Sequence, residues 1–124
     1  MDGKRRTKLC PCEFLIPLEY QPDGPEGARE SVPREFFDKV FKTLDRQFGG
    51  WTWRGNCSGS WHGELDDSMS IEVSVPKDQI EKVRVVVRAI GYALKQEKMY
   101  FRVGRPSVEM LDADGSTGFL FEAE

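Results

Sequence analysis

The spacing of apolar positions switches between two periods along this chain. In "CEFLIPLEY", residues 12–20, Phe14, Ile16, Leu18 and Tyr20 fall on one side of an extended backbone, and Leu15, Pro17 and Glu19 fall on the other. This predicts a strand. Pro17 has no N–H, so it must sit where the ladder needs no donor. After the Pro- and Gly-rich stretch "QPDGPEGARES", which reads as an exposed loop, the period lengthens. Phe36, Phe37, Val40, Phe41, Leu44 and Phe48 recur at helical spacing as one broad apolar stripe, the signature of a core-facing helix. Ser31 is placed to cap that helix, Pro33 suits its first turn, and Gly49 suits the position just past its end.

"WTWRGNCSGSW" then predicts a strand running into a Gly- and Ser-rich turn. In "SMSIEVSVP", Met69, Ile71, Val73 and Val75 alternate with Ser70, Glu72 and Ser74, a strand with one apolar face. "PKDQIEKVRVVVRAIGYALKQ" contains the β-branched run Val85–Val87, yet Ile80, Val83, Val87, Ile90 and Leu94 keep helical spacing, and the length decides for a helix. Gly91 within it marks an expected close approach to the sheet. "KMYFRV" and "SVEML", separated by "GRP", read as a strand and a second strand pairing with it. The order β-α-β-β-α-β predicts an α+β, ferredoxin-like sandwich, an antiparallel sheet with two helices on one face and an extra C-terminal strand. Residues 12–111 form the expected domain, between a flexible basic tail, 1–11, and an acidic extension, 112–124.

Composition narrows this picture without changing it. At 124 residues, 39% hydrophobic and 31% charged, the chain suits one soluble globular domain with a real core. The apolar run near the N-terminus is broken by Glu13, Pro17 and Glu19, so neither a secretory signal nor a membrane span is expected. Three cysteines, Cys10, Cys12 and Cys57, are an odd number, which favours reduced thiols and a cytoplasmic protein. Cys10-Pro11-Cys12 is too tight and isolated for a zinc site, even with Cys57 and His62 as further ligands, so no metal or cofactor is expected. "DADGSTGFLFEAE" lacks the Gly and Glu that a calcium loop needs at its sixth and twelfth positions.

The net charge of −3 weighs against nucleic acid and membrane surfaces as partners, the local exception being the basic stretch "GKRRTK". Ser70, Glu72 and Ser74 on the third strand offer no aromatic platform for bases, which disfavours RNA recognition despite the shared topology.

The topology concentrates chemistry at one pole. The hairpin "GSWHGELDDS" and the junction "KQEKMY" both turn at the end of the sheet where the first strand finishes. Trp61, His62, Glu64 and Asp67 are thereby expected near Gln96 and Glu97, with Tyr20 close by, a set suited to a small polar or nucleotide-like ligand.

The pattern Phe48-Gly49-Gly50, Gly59-Ser60-Trp61, Asp66-Asp67-Ser68 and Gln96-Glu97 leading into Tyr100-Phe101 resembles small, uncharacterised bacterial ferredoxin-like families. The likeness spans residues 13–111. It implies the fold and carries no established chemistry with it.

Two functions compete. One is a binding module for a small polar ligand or a protein partner, working as a homo-oligomer. The other is a phosphodiesterase-like hydrolase, with His62 as general base beside Glu64 or Glu97, or with a carboxylate-bound metal. If catalysis occurs, His62 and Glu97 are the candidate catalytic residues. No nucleophile motif, phosphate loop or metal-ligand spacing accompanies them, so the sequence favours binding over catalysis.

Overall fold

The computed structural model describes residues 8–20, 30–114 and 116, with Trp61 described by its backbone only. The tail before Lys8, most of the loop 21–31 and most of the C-terminal extension lie outside the described residues. Along the chain come β1 (Cys10–Pro17), α1 (Arg34–Phe48), β2 (Thr52–Trp61), β3 (Glu64–Val75), a 3₁₀ turn (Lys77–Gln79), α2 (Ile80–Ala93) and β4 (Phe101–Val103). The strands form one four-stranded sheet in the order β2-β3-β1-β4, every neighbouring pair antiparallel. The result is an α+β fold. Among the described residues no helix is long and apolar enough to cross a membrane.

Alternation determines which face each strand buries. Cys10, Cys12, Phe14 and Ile16 of β1 are buried, as are Ile71, Val73 and Val75 of β3. All of these except Cys10 join Val40 and Leu44 of α1 and Val83, Val87 and Ile90 of α2 in a single core, so both helices lie on one face of the sheet. Burying a side chain of this size contributes roughly 1.5–3 kcal/mol, which makes the stripes the main source of stability. Phe36, Phe37, Phe41 and Phe48 pack around that core half-buried. Trp51 stacks on Phe41 with ring centroids 4.0 Å apart.

Four local expectations are corrected. β1 begins at Cys10 and ends at Pro17, two residues earlier at its start and three at its end than its pattern suggested. Ser31 does not cap α1: it bridges to Glu19, and Pro33 takes the N-cap position with no side-chain cap bond. The helix therefore starts one residue later than the placement of Pro33 in its first turn implies, while Gly49 does terminate it at φ 81°. "SVEML" does not fold back on β4. Instead Val108 bridges to Leu9, so the chain runs on along the edge of β1 past Arg105 and Pro106. Gly91 packs closely, but against Met99 rather than the sheet: a Cβ there would collide with Met99 Cγ.

A bulge reorganises β2. Trp53 pairs with Ile71 and Gly55 with Ser70, so Arg54 is the extra, unpaired residue, next to Gly55, whose φ is 108°. In a regular strand Trp53 and Cys57 would share a face. The bulge puts them on opposite faces, with Cys57 opposite Ser68 on the face away from the helices. Trp53 is 55% exposed on the edge strand.

Candidate functional site

The face of the sheet that the helices leave open carries the chemistry. Glu13 of β1 lies opposite Arg102 of β4 and accepts hydrogen bonds from Arg102 Nε at 3.1 Å and Ser70 Oγ at 2.9 Å. Beside this cluster, towards the hairpin, register aligns Pro17, Ser68 and Cys57 in one row across β1, β3 and β2. Asp66 with Gly59, then Glu64 with Trp61, follow towards the tip.

The hairpin closes in two residues, with φ of 51° at His62 and 82° at Gly63. Positive φ at both central positions is the type I′ geometry that matches the twist of the flanking strands. It places His62 at the tip of the hairpin.

The opposing wall comes from the end of α2. The N–H of Lys95 donates to Tyr92 O at 3.1 Å and that of Gln96 to Gly91 O at 2.9 Å, while Lys95 adopts φ 59°. These paired bonds around a left-handed residue form a Schellman cap, here without the usual glycine. The cap turns residues 96–100 sharply out of the helix and across the end of the sheet, and the close contact of Met99 with Gly91 holds them there.

Between hairpin and junction lies a pocket of about 680 Å³. Leu15 and Pro17 provide an apolar floor with Ser68, Met99 and Tyr100 line it from the junction, and His62, Glu64, Gln96 and Glu97 supply polar groups. Asp66 and Lys98 also line it, so among the described residues three carboxylate side chains and one lysine border it. Cys57 lines the pocket and is exposed.

The structure thus brings His62, Glu64, Gln96 and Glu97 to one cavity. Two expected members lie elsewhere. Tyr20 packs against the hydrophobic core, and its N–H donates to Glu30 O at 2.9 Å. Asp67 accepts a hydrogen bond from Ser58, its partner across the hairpin; Ser58 borders the pocket, but Asp67 does not line it. For Trp61 the structure gives the strand position, opposite Glu64. Leu15, Pro17, Ser68, Met99 and Tyr100 were not singled out from sequence as ligand residues. The signal for the first three was the alternation itself, which assigns them to the outward face.

Among the described residues, no three His, Cys, Asp or Glu side chains gather as a metal site would require. Burial pushes the Cys12 thiol up to about 11, helped by neighbouring Cys10. Cys12 faces the core, away from the pocket.

No protein-family model matches the chain, and no curated protein does. Among solved structures it is similar to a phage SAM lyase in complex with S-methyl-5′-thioadenosine, with a TM-score of 0.54 over 88% of this chain and 90% of that one. At 13% sequence identity, the likeness is one of fold.

Proposed function

We propose that this protein binds a small nucleoside-like molecule in the pocket between the β2–β3 hairpin and the α2–β4 junction. The pocket itself carries the reading. Its volume of about 680 Å³ suits a molecule of nucleoside size, with an apolar floor for a ring and convergent polar groups at the rim. Leu15, Pro17 and Tyr100 offer surfaces on which a base can lie. Glu64 and Glu97 can accept hydrogen bonds from ribose hydroxyls, and Gln96 can both donate and accept at a base edge. Three carboxylates against one ammonium repel a phosphate, so an uncharged or cationic nucleoside fits better than a nucleotide. The nucleoside ligand of the fold neighbour supports the same class.

The βαββαβ order and the β2-β3-β1-β4 sheet support a ferredoxin-like reading of the fold, and with it the resemblance to small bacterial ferredoxin-like families. Self-association belongs to this proposal too: β2 is a ten-residue edge strand carrying an exposed Trp53. So does a cytoplasmic setting, which suits the three unpaired thiols. The fold likeness lends no support to hydrolysis.

Calorimetric titration of the protein with S-methyl-5′-thioadenosine and with adenosine tests the reading. Saturable binding is expected, with a rise in Tm, and Tyr100→Ala and Glu97→Ala each weaken it roughly tenfold or more. Absence of binding at millimolar nucleoside overturns the proposal, as does binding that neither substitution affects.

A further inference from the structure

A second cavity, of about 440 Å³, lies on the other side of the segment that walls the first. Gln96, Glu97, Lys98 and Met99 line both. The far side of the second cavity is α2, which contributes Arg84 and Arg88, one helical turn apart. Glu81 holds both guanidinium groups, accepting from Nη1 of each at 3.2 Å. Arg84 is further fixed over the Phe101 ring, 5.5 Å from its centroid. Each guanidinium has five N–H donors, and among the described residues these contacts with Glu81 engage only one nitrogen of each.

The two cavities differ in sign. The open-face pocket is lined by Glu64, Asp66, Glu97 and Lys98, whereas this one is lined by Arg84, Arg88, Lys98 and Glu97. In a chain of net charge −3, Arg84, Arg88 and Lys98 against Glu97 and the Glu81 that bridges the two arginines still leave this concave site net positive among the described residues. A forked pair of guanidinium groups, preset by a shared carboxylate, matches the oxygens of a phosphate or carboxylate and can bind them in bidentate fashion. Tyr92, 88% exposed at the rim, adds an aromatic surface for the uncharged part of such a molecule.

We propose that this cavity is a second binding site, for a small anion of the phosphate class, recognised by Arg84, Arg88 and Lys98. It is independent of the nucleoside reading, because the acidic open-face pocket repels that chemistry.

The test is an NMR titration of the ¹⁵N-labelled full chain with inorganic pyrophosphate at low ionic strength. Saturable amide shifts are expected at Val87–Tyr92 and Gln96–Phe101. Arg84→Ala and Arg88→Ala should each weaken binding roughly tenfold or more. Arg46→Ala, on an exposed turn of α1, removes the same charge and leaves affinity within about twofold, a surface effect screened by salt. Phosphate and sulfate arms separate recognition of a phosphoryl group from binding of any polyanion. The proposal fails if the shifts scatter over all basic surfaces, if Arg46→Ala weakens binding as much as Arg88→Ala, or if no shift saturates.

Discussion

Met99 lies across Gly91 so closely that the helix has no room for a β-carbon at that position. This contact joins α2 to the segment that walls both cavities, so it connects the packing of a helix to the shape of two sites.

Gly91→Ala should therefore destabilise the protein despite alanine's better helix propensity. The added methyl meets Met99 Cγ, near the base of that side chain rather than at its flexible end. The expected loss is about 1–3 kcal/mol, typical of overpacking. Urea denaturation of Gly91→Ala, Met99→Ala and the double variant checks this. The two costs should be strongly non-additive, because Met99→Ala removes the atom that the new methyl strikes.

Glu13 and Arg102 pair in register between β1 and the three-residue β4, with Arg102 Nη2 2.9 Å from Glu13 Oε1. The arginine is largely exposed, so solvent screens the pair, and Glu13→Gln should cost no more than about 1 kcal/mol. That cost should shrink in molar salt. A double-mutant cycle with Arg102→Ala, run at low and high ionic strength, measures the coupling, and a salt-independent value would overturn the reading of a solvent-screened ion pair.

Cys12 links stability to alkaline pH. Burial raises its folded pKa from 9.0 to about 11, so the folded state keeps its proton where the unfolded chain has lost it. Stability from this group is complete below pH ~9 and is lost as pH rises towards ~11. Denaturation curves across that range should show a decline that Cys12→Ala reduces. At pH 8 a thiol reagent should modify Cys57, which is exposed, and spare Cys10 and Cys12 until the protein unfolds. Saturating nucleoside should protect Cys57, because it lines the open-face pocket.

His62 occupies a turn position with φ 51°, where asparagine is the favoured residue before glycine. His62→Asn should leave Tm unchanged or slightly raised while weakening nucleoside binding. Thermal melts and titrations on one variant separate the two roles, and a fall in Tm without loss of affinity would make His62 a purely structural residue.

The sequence by itself determined four strands, two helices and the buried face of most of them, but not the fate of "SVEML", which forms no strand against β4. Alternation in Phe14 and Ile16, or in Ile71 and Val73, and the helical spacing of Val83, Val87 and Ile90, are local properties that survive folding unchanged. From these, and from the direction of the chain through the sheet, the meeting of His62 and Glu64 with Gln96 and Glu97 was also legible. Tertiary structure decided the rest. One bulged residue, Arg54, reverses the faces of β2 and sends Cys57 to the open side, which no count of alternating residues reveals. Asp66 and Asp67 are consecutive on β3 and so face opposite sides; the register set by the two-residue turn decides that it is Asp66 that lines the pocket. The path of residues 96–100 depends on a left-handed Lys95 and on the Gly91–Met99 contact. That path divides an acidic cavity from a basic one. Charge at each site is a sum over residues brought together from several elements, and therefore a property of the fold rather than of any stretch of sequence.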